Sequence, residues 1–276
     1  MKDYRFGPEG QYRVLVAADR ASRERALSLV YGVYLAAGLT EPRPSRMLIT
    51  VHDALPGTTS FLVERDGGPG DSPSAVASLT LIPDGPVGLP IDVFAGGALK
   101  DLRAAGRHPV ELAKLATVAA TEKRGHNRRP PREEILLHLF RLAYLTALRE
   151  EDATDLVIGV SPHQARFFRR VFLFEPLNGP GADRPDDSLT VPLRLDLTTA
   201  RSRHEKRASR GAGEHHLFSF FVNEQEPDIL EWLRRRRTPL TPEEVHCLFA
   251  ERTELLKKVD EATRRLILKL YPGLEV

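Results

Sequence analysis

Apolar and β-branched residues recur in short runs along the first two thirds of the chain, and polar or turn-forming residues bound each run. Such runs predict strands. The six runs are Tyr12–Ala17, Thr59–Arg65, Ser74–Ile82, Val110–Ala119, Thr154–Val160 and Leu189–Leu197. The turn formers DGGPGDSP separate the second run from the third and predict a hairpin. The fifth run, TDLVIGV, has the unbroken apolar character of a strand inside a sheet.

Segments with apolar residues at helical spacing lie between these runs and predict helices. They are, approximately, Arg23–Ala37, Ala98–Ala105, Glu133–Arg149 and Gln164–Leu173. Asp19 or Ser22 can cap the first helix, and Gly38 ends it. The third is apolar on more than one stripe, so we expect it to be buried on more than one side. The predicted order is β-α-β-β-(α)-β-α-β-α-β.

The character of the chain changes after Leu197. Arg201–Glu214 is basic and contains glycines, which predicts a loop or linker. Short helices are expected at about Asp228–Arg235 and Glu261–Leu270. Between them, TPEEVHCLFAERTELLKKV begins with a capping box formed by Thr241 and Glu244. The inward stripe of this helix is expected to be Val245, Leu248, Phe249, Arg252 and Leu256, with Arg252 contributing only its stem. The prediction is an α/β domain at 1–200, a basic linker or loop at 201–226, and a helical extension at 227–276.

Composition fits a globular protein with one large domain or one domain and an appendage. The chain has 276 residues, of which 41% are hydrophobic and 28% are charged. The net charge is only +2, so the overall charge does not favour a nucleic-acid partner. The basic runs Arg201–Arg210 and Arg234–Arg237 lack interleaved aromatic residues, and we therefore expect no nucleic acid.

The single cysteine, Cys247, excludes an intrachain disulfide framework and a cysteine-rich zinc module. The histidines match no metal-ligand spacing, so no metal is expected. The first residues, MKDYRFGPEGQYRVLV, lack the basic-then-apolar pattern of a signal peptide. No run approaches the roughly 18–20 apolar residues that cross a bilayer. We expect a cytoplasmic protein.

Glu111 stands out because it lies on a strand that is apolar on both faces. Alternation along Val110–Val118 places Glu111 on one face and Lys114 on the other. Burial disfavours the charged form of a carboxylate and raises its pKa, and a carboxylate with a pKa near 7 is a usable general base. The alternative is that Glu111 lies at the wet end of the strand or forms a structural ion pair with Arg107 or Lys114.

A cluster of basic residues precedes the third helix. Its members within ten positions are Lys123, Arg124, Arg128, Arg129 and Arg132. A helix N-terminus favours anions, so the cluster can bind phosphate. However, Pro130 and Pro131 remove two N–H donors, and Gly125 alone allows close backbone approach. The cluster is either a binding surface or a solvated face.

The segment SPHQARFFRRVFLF places Phe167, Phe168 and Phe172 at helical spacing after His163. This pattern favours a core stripe over a ligand pocket. The chain has no G-x-S-x-G, Walker or G-x-G-x-x-G motif.

Two motifs resemble one family. The element order resembles the acetyltransferase-type (GNAT) fold, and LPIDVFAGGALKDLRAAGRHPVELAKLATVA resembles N-acyl amino acid synthases of the FeeM type. It is also similar to autoinducer (acyl-homoserine-lactone) synthases, whose corresponding strand reads about E-x-x-R-[FL]-x-V. Here that strand runs from Glu111 through Lys114 to Val118. SPHQARFFRRVFLFEPLNG resembles their P-x-H-x-x-FY-x-x-x-x-F-x-P segment, so the resemblance covers about residues 12–197. It implies a GNAT-like α/β (α+β) fold with a mixed, mostly antiparallel sheet flanked by helices.

The resemblance also implies the chemistry: a fatty acyl group on phosphopantetheine moves to the α-amine of an amino acid. Glu111 would help deprotonate that amine, because a protonated amine is no nucleophile. The implied substrate-binding residues are Lys114, Arg107, Asp92, Tyr31, Phe167 and Phe168. The implied donor-binding residues are Ala116, Thr117, Val118, Lys123, Arg124, Arg128 and Arg129. The donor would lie between splayed strands at Val110–Ala119 and Thr154–Val160.

Two departures from the family pattern bear on the substrates. Lys114 replaces the family arginine and cannot form a bidentate fork with a carboxylate. The usual pyrophosphate loop, Q/R-x-x-G-x-G/A, is missing, which favours an acyl carrier protein over coenzyme A as donor. Carrier proteins are acidic, so Arg169 and Arg170 suit docking. We expect no tightly bound cofactor, and peripheral membrane contact only through the product. The alternative is a non-catalytic GNAT-fold module that binds an acyl chain or carrier protein.

Overall fold

The structure, a computed structural model, describes residues 4–68, 70–118, 132–177, 190–209 and 227–274. The strands are β1 Tyr4–Phe6, β2 Tyr12–Val16, β3 Thr59–Arg65, β4 Ser74–Pro83, β5 Pro109–Thr117, β6 Asp155–Val160, β7 Glu175–Pro176 and β8 Val191–Asp196. The longer helices are α1 Arg20–Ala36, α2 Asp92–Ala104, α3 Arg132–Glu150, α4 Pro162–Val171, α5 Leu197–Ala208 and α6 Pro227–Arg236. They are followed by α7 Pro242–Val245, which continues as a π-helix over His246–Glu251, and by α8 Leu255–Lys258 and α9 Glu261–Leu270.

The described strands form a mixed sheet in the order β1-β2-β3-β4-β5-β6-β8-β7. The pairs β1–β2, β2–β3, β6–β8 and β7–β8 are antiparallel, and β5–β6 is parallel. Burial alternates along β2 as its sequence predicts. Five of the six residues of β6 are buried, as expected for its unbroken apolar run. The predicted fold class, a mostly antiparallel mixed sheet with helices, is confirmed.

Two compact units make up the chain. The first unit contains the described residues within 1–80, 114–140 and 231–276, and the second contains those within 81–113 and 141–230. The boundaries fall inside β4, β5, α3 and α6. Most of the predicted C-terminal extension therefore belongs to the same unit as the N-terminal strands.

The first unit has a core to which residues 240–274 contribute most of the members. Its buried members are Leu27, Met47, Ile49, Ala54, Leu240, Val245, Leu248, Phe249, Leu256, Ile267, Tyr271 and Leu274. The predicted capping box is confirmed, since Thr241 Oγ1 accepts from Glu244 N–H and Glu244 Oε2 accepts from Thr241 N–H. Four of the predicted inward residues are buried, and half of the Arg252 side chain is exposed, which is compatible with only its stem packing inward.

The second unit packs α2 against the sheet. The buried residues of this cluster are Ile82, Leu89, Ile91, Ala95, Leu99 and Val157. Because Ile91 and Val157 both belong to this cluster, the start of α2 is held against β6.

Two helix predictions need correction. The helix α2 begins at Asp92 instead of Ala98, and the Asp92 carboxylate accepts from Leu89 N–H at 2.7 Å, which ties the preceding segment to the start of the helix. Residues 201–208, predicted as loop, belong to α5, whose N-cap Asp196 accepts from Thr198 N–H. The strands β1 and β7 were not predicted, since two or three residues carry too little periodicity.

Within the described ranges, no helix combines the length and the apolar character needed to cross a membrane.

Candidate functional site

Glu111 lies on β5 in the second unit and is only 6% exposed. Its Oε2 accepts a hydrogen bond from the backbone N–H of Ile91 at 2.8 Å. Ile91 is the N-cap of α2 and has no capping side chain of its own. The Glu111 carboxylate thus meets the N-terminal end of a 13-residue helix, where unpaired N–H groups and the helix dipole favour negative charge. Burial excludes the alternative that Glu111 is at a wet end of its strand.

The ladder between β5 and β6 ends at Glu111. It pairs Pro109 with Asp155, Val110 with Leu156, and Glu111 with Val157. The strand β6 continues to Val160 with β8 along its other edge. Within the described residues of the second unit, the edge of β6 that faces β5 therefore lacks a recorded strand partner from Ile158 onward. Glu111 lies where this stretch of the β6 edge begins.

An arginine holds the start of α2 in place. Arg103 donates to both carboxylate oxygens of Asp92 at 2.7–2.8 Å and to both oxygens of Asp84 at 2.6–2.8 Å. These two carboxylates raise the pKa of Arg103 above its ordinary value, so the guanidinium stays charged. Asp92, predicted to bind substrate, takes part in this clamp next to the amide that holds Glu111. The structure therefore brings Glu111 and Asp92 to one end of α2.

Lys114 lies on the same strand but in the first unit, buried in an ion pair with Asp53. Asp53 Oδ2 also accepts from Thr50 N–H at 2.7 Å and from Thr50 Oγ1 at 3.1 Å. Lys114 has a φ of 52°, which interrupts the extended backbone that strict alternation requires. The ammonium group that was predicted to bind a substrate carboxylate thus already has a carboxylate partner.

The three predicted donor residues at the end of β5 differ in accessibility. Ala116 and Thr117 are buried, whereas Val118 is 48% exposed. The Val118 N–H donates to the Val76 carbonyl at 2.9 Å, so this amide is used within the sheet. The Thr117 Oγ1 is buried and has no hydrogen-bond partner among the described residues.

The other four predicted substrate residues, Arg107, Tyr31, Phe167 and Phe168, have structural partners. Arg107 donates to Asp155 at 2.7 Å and to Asp196 at 2.8 Å, and these acids raise its pKa above its ordinary value. Tyr31 is buried in the first unit, and its hydroxyl accepts from Arg43 N–H at 3.1 Å. Phe168 is buried in an aromatic cluster with Phe167, Phe172 and Phe174, with ring centroids 5.4–5.8 Å apart. The side chains of Lys123, Arg124, Arg128, Arg129 and Arg132 lie outside the described part of the chain.

A basic surface lies on α4 in the second unit. Arg166, Arg169 and Arg170 are exposed and line an open cleft of about 480 Å³ with Phe174 and Glu175. Two of these arginines were predicted to dock an acidic carrier. Nothing among the described residues forms a group of three or more His, Cys, Asp or Glu side chains that could hold a metal ion.

Sequence reasoning missed three partners at the site: the Ile91 amide, Arg103 and Asp53. A backbone amide and the reach of an arginine leave no signal in a single sequence. Asp53 did leave one, because Thr50 and Asp53 stand at capping-box spacing before a short 3₁₀ turn.

Comparison with known proteins gives one family. The family model "N-acyl amino acid synthase FeeM" matches residues 25–196. The solved structure of FeeM, an N-acyl amino acid synthase from uncultured soil microbes, is 19% identical. Its alignment covers 69% of this chain and 94% of that chain with a TM-score of 0.55. This likeness supports the fold.

Two further solved structures are more distant. The AHL synthase LasI is 17% identical over 68% of this chain and 93% of that chain, with a TM-score of 0.49. TofI, in a ternary complex with an inhibitor and MTA, is 17% identical over 68% of this chain and 91% of that chain, with a TM-score of 0.46. A search of curated proteins found no significant match.

Proposed function

We propose that this chain, which belongs to the N-acyl amino acid synthase FeeM family and is an N-acyltransferase, moves an acyl group from an acyl carrier protein to the α-amine of an amino acid. One observation carries the proposal. Glu111 is a buried carboxylate held by a helix N-terminus at the point where the β5–β6 ladder ends. A proton acceptor beside an open strand edge is what an amine and a thioester need in order to react.

The proposed reaction uses Glu111 as the proton acceptor. The ammonium form of the amino acid loses a proton to Glu111, directly or through water. The amine nitrogen then attacks the thioester carbonyl carbon, the new C–N bond forms, and the C–S bond breaks. The nitrogen loses its second proton to the leaving pantetheine sulfur, which departs as the thiol, and Glu111 then releases its proton to water. The hydrogen bond from Ile91 N–H orients the Glu111 carboxylate and favours its ionised form, which is the form that can accept a proton.

The pantetheine arm, in this proposal, enters along the edge of β6 from Ile158 to Val160. A pantetheine chain carries two amides and can add to a strand edge as an extended peptide does. Among the described residues, the β5–β6 ladder leaves this edge without a strand partner. Ala116, Thr117 and Val118 remain proposed donor contacts, of which the buried Thr117 hydroxyl has a hydrogen-bonding position to offer.

The proposed donor is a carrier protein because of the charge on α4. Arg166, Arg169 and Arg170 present three exposed cations to solvent, and carrier proteins are acidic. Lys123, Arg124, Arg128 and Arg129 stay part of this proposal as further contacts to the donor. The missing pyrophosphate loop argues against the adenosine diphosphate part of coenzyme A.

The function is tested by incubating the chain with long-chain acyl carrier protein and a pool of amino acids, followed by mass spectrometry. N-acyl amino acids are expected. Tight binding of the carrier or its acyl chain with no product would instead indicate a non-catalytic module and would overturn the proposal.

The choice of donor is tested by charge reversal. Arg166→Glu with Arg170→Glu should raise the KM for acyl carrier protein roughly tenfold, because like charges slow association. The KM for a neutral acyl-pantetheine should stay unchanged. Lys257→Glu, at a cation that is 69% exposed in the first unit, is the matched control. Equal KM values for the carrier in all three proteins would contradict a carrier-docking surface on α4.

A further inference from the structure

Arg103 joins the start of α2 to the end of β4. Asp92 is the first residue of α2, and Asp84 directly follows β4. The guanidinium of Arg103 donates two hydrogen bonds to each of these carboxylates, at 2.6–2.8 Å. Arginine can bind two carboxylates in this way because its N–H donors lie in one rigid plane. All three side chains are partly buried, which strengthens such ion pairs relative to an open surface.

Asp92 closes the turn that contains Ile91. Its Oδ2 accepts from Leu89 N–H at 2.7 Å, and its own N–H donates to the Leu89 carbonyl at 3.0 Å. A Cβ atom added at Gly88 would lie 2.8 Å from Asp92 Oδ2, so a glycine there leaves room for the carboxylate. Within this turn, Ile91 N–H donates to Glu111 Oε2 at 2.8 Å. The direction of that N–H is therefore set by the turn that Asp92 closes.

A kink separates the first turn of α2 from the rest of the helix. Ala95 leaves the helical conformation with φ −128° and ψ 16°, and the next two residues are glycines, whose backbone is weakly restrained. Apolar packing holds the turn against β6, but such packing is not directional. Arg103 lies beyond the kink and donates back to Asp92. Its hydrogen bonds thus supply the direction that apolar packing lacks.

We propose that Arg103 is a positioning residue, which orients the Glu111 carboxylate for proton transfer through the turn that Asp92 closes. This inference rests on the proposed function. Without Arg103, the turn loses its tie to β4, and the Ile91 amide no longer fixes the carboxylate in one orientation. A general base must lie within about 2.6–3.2 Å of the atom whose proton it takes, so the rate of proton transfer falls. Substrate binding does not require this orientation.

The test is a double-mutant cycle on kcat with a neutral acyl-pantetheine donor, which leaves carrier docking out of the measurement. Arg103→Met should lower kcat about 10- to 100-fold with both KM values unchanged, because a misplacement of about 1 Å can cost that much. In the Glu111→Gln background, the same replacement should lower kcat by less than about twofold, since no proton acceptor remains to be oriented.

Two further variants serve as controls. Arg103→Lys keeps the charge but cannot form both pairs of hydrogen bonds, so kcat should fall by less than in Arg103→Met. If Arg103→Met does not fold, as judged by urea unfolding, Arg103→Lys is carried through the same cycle. Arg203→Met is the matched control and should keep the kcat of wild type. Arg203 lies in the same unit, pairs with Glu175 at 2.7 Å, and is 31% exposed against 33% for Arg103.

The outcomes separate the two proposals. Product from wild type with the same loss of kcat with and without Glu111→Gln would overturn the role of Arg103 alone, as would an unchanged kcat in Arg103→Met and Arg103→Lys. A raised KM for the amino acid at unchanged kcat would also overturn it, because Arg103 and Asp92 would then bind substrate. No N-acyl product from wild type with any donor would overturn the proposed function, and this inference with it.

Discussion

The strand β5 carries two buried ionisable residues, three positions apart, and their partners in the two units differ in charge. Glu111, in the second unit, accepts from the neutral amide of Ile91. Lys114, in the first unit, faces the charged carboxylate of Asp53. An amide stabilises a carboxylate without neutralising it, whereas an ion pair cancels both charges. The carboxylate held by an amide can still accept a proton, and the lysine is committed to structure.

The surroundings of the two residues reinforce this difference. Thr50 donates twice to Asp53, and the Tyr271 hydroxyl donates to the carbonyl of the next residue, Ala54, at 2.6 Å. Hydrogen bonds therefore surround the pair in the first unit. Glu111 instead borders an apolar cluster and a ladder that ends. Lys114 lies in a polar network, which indicates a structural role. Glu111 lies beside a strand edge, which indicates a chemical role.

Replacing Glu111 should have the largest effect on activity. Glu111→Gln keeps an oxygen that can accept from Ile91 but cannot take up a proton. Removal of a general base costs about 10²–10⁴-fold in rate, so kcat should fall by that factor. The measurement is the rate of N-acyl amino acid formation at saturating donor.

Unfolding in urea is the control for this variant, and it should change little. Undiminished kcat in Glu111→Gln would show that Glu111 is as structural as Lys114, and the contrast would be lost.

Replacing Lys114 should have the largest effect on stability. Lys114→Met leaves the Asp53 carboxylate buried without its cation, which costs about 3–5 kcal/mol. The free energy of unfolding in urea measures this loss. Asp53→Asn combined with Lys114→Met should recover part of it, because the side chain left at position 53 is then neutral. A single variant within about 1 kcal/mol of wild type would contradict a structural role for the pair.

The sequence predicted much of the scaffold but little of this contrast. Most of the longer helices and strands follow from apolar periodicity, and the cap of α7 follows from Thr241 and Glu244. Periodicity did not predict which side chains of β5 share a face. Alternation alone sets Glu111 and Lys114 on opposite faces, but the φ of 52° at Lys114 breaks the period between Glu111 and Thr117. A left-handed lysine cannot be read from residue types, because neighbours in space impose it.

Partners at long range were equally hidden. Glu111 meets a residue 20 positions away, and Lys114 meets one 61 positions away. Local propensity carries no information at that separation. Ionisable residues on an apolar strand could be identified from the sequence, whereas their division into chemical and structural roles required the fold.

A third buried ionisable group, His204 in the second unit, has a pKa that burial and neighbouring cations both lower. Burial, followed by the nearby charges of Arg203 and Arg207, lowers the pKa of His204 to about 4. The unfolded chain has the ordinary histidine pKa near 6.5, so it binds more protons between these two values. Stability should therefore fall as pH falls from about 6.5 to about 4, by on the order of 3 kcal/mol from this group.

His204→Gln should flatten that part of the stability–pH profile, measured by urea unfolding of both proteins at each pH. The carboxylates that also titrate in this range are common to both proteins, so the difference isolates His204. Parallel profiles would mean that His204 is charged in the folded protein.

The smallest predicted effect concerns the link between the C-terminal helices and the turn that holds Lys114. Tyr271→Phe removes the donor to the Ala54 carbonyl and leaves a buried acceptor unpaired, which costs about 1–3 kcal/mol. Tyr31→Phe is the matched control, because that hydroxyl accepts from Arg43 N–H and its partner is only part-buried. A smaller loss, about 0.5–1.5 kcal/mol, is expected there. If the two losses were equal, the Tyr271 contact would be an ordinary hydrogen bond, and the first unit would hold Asp53 and Lys114 without help from the end of α9.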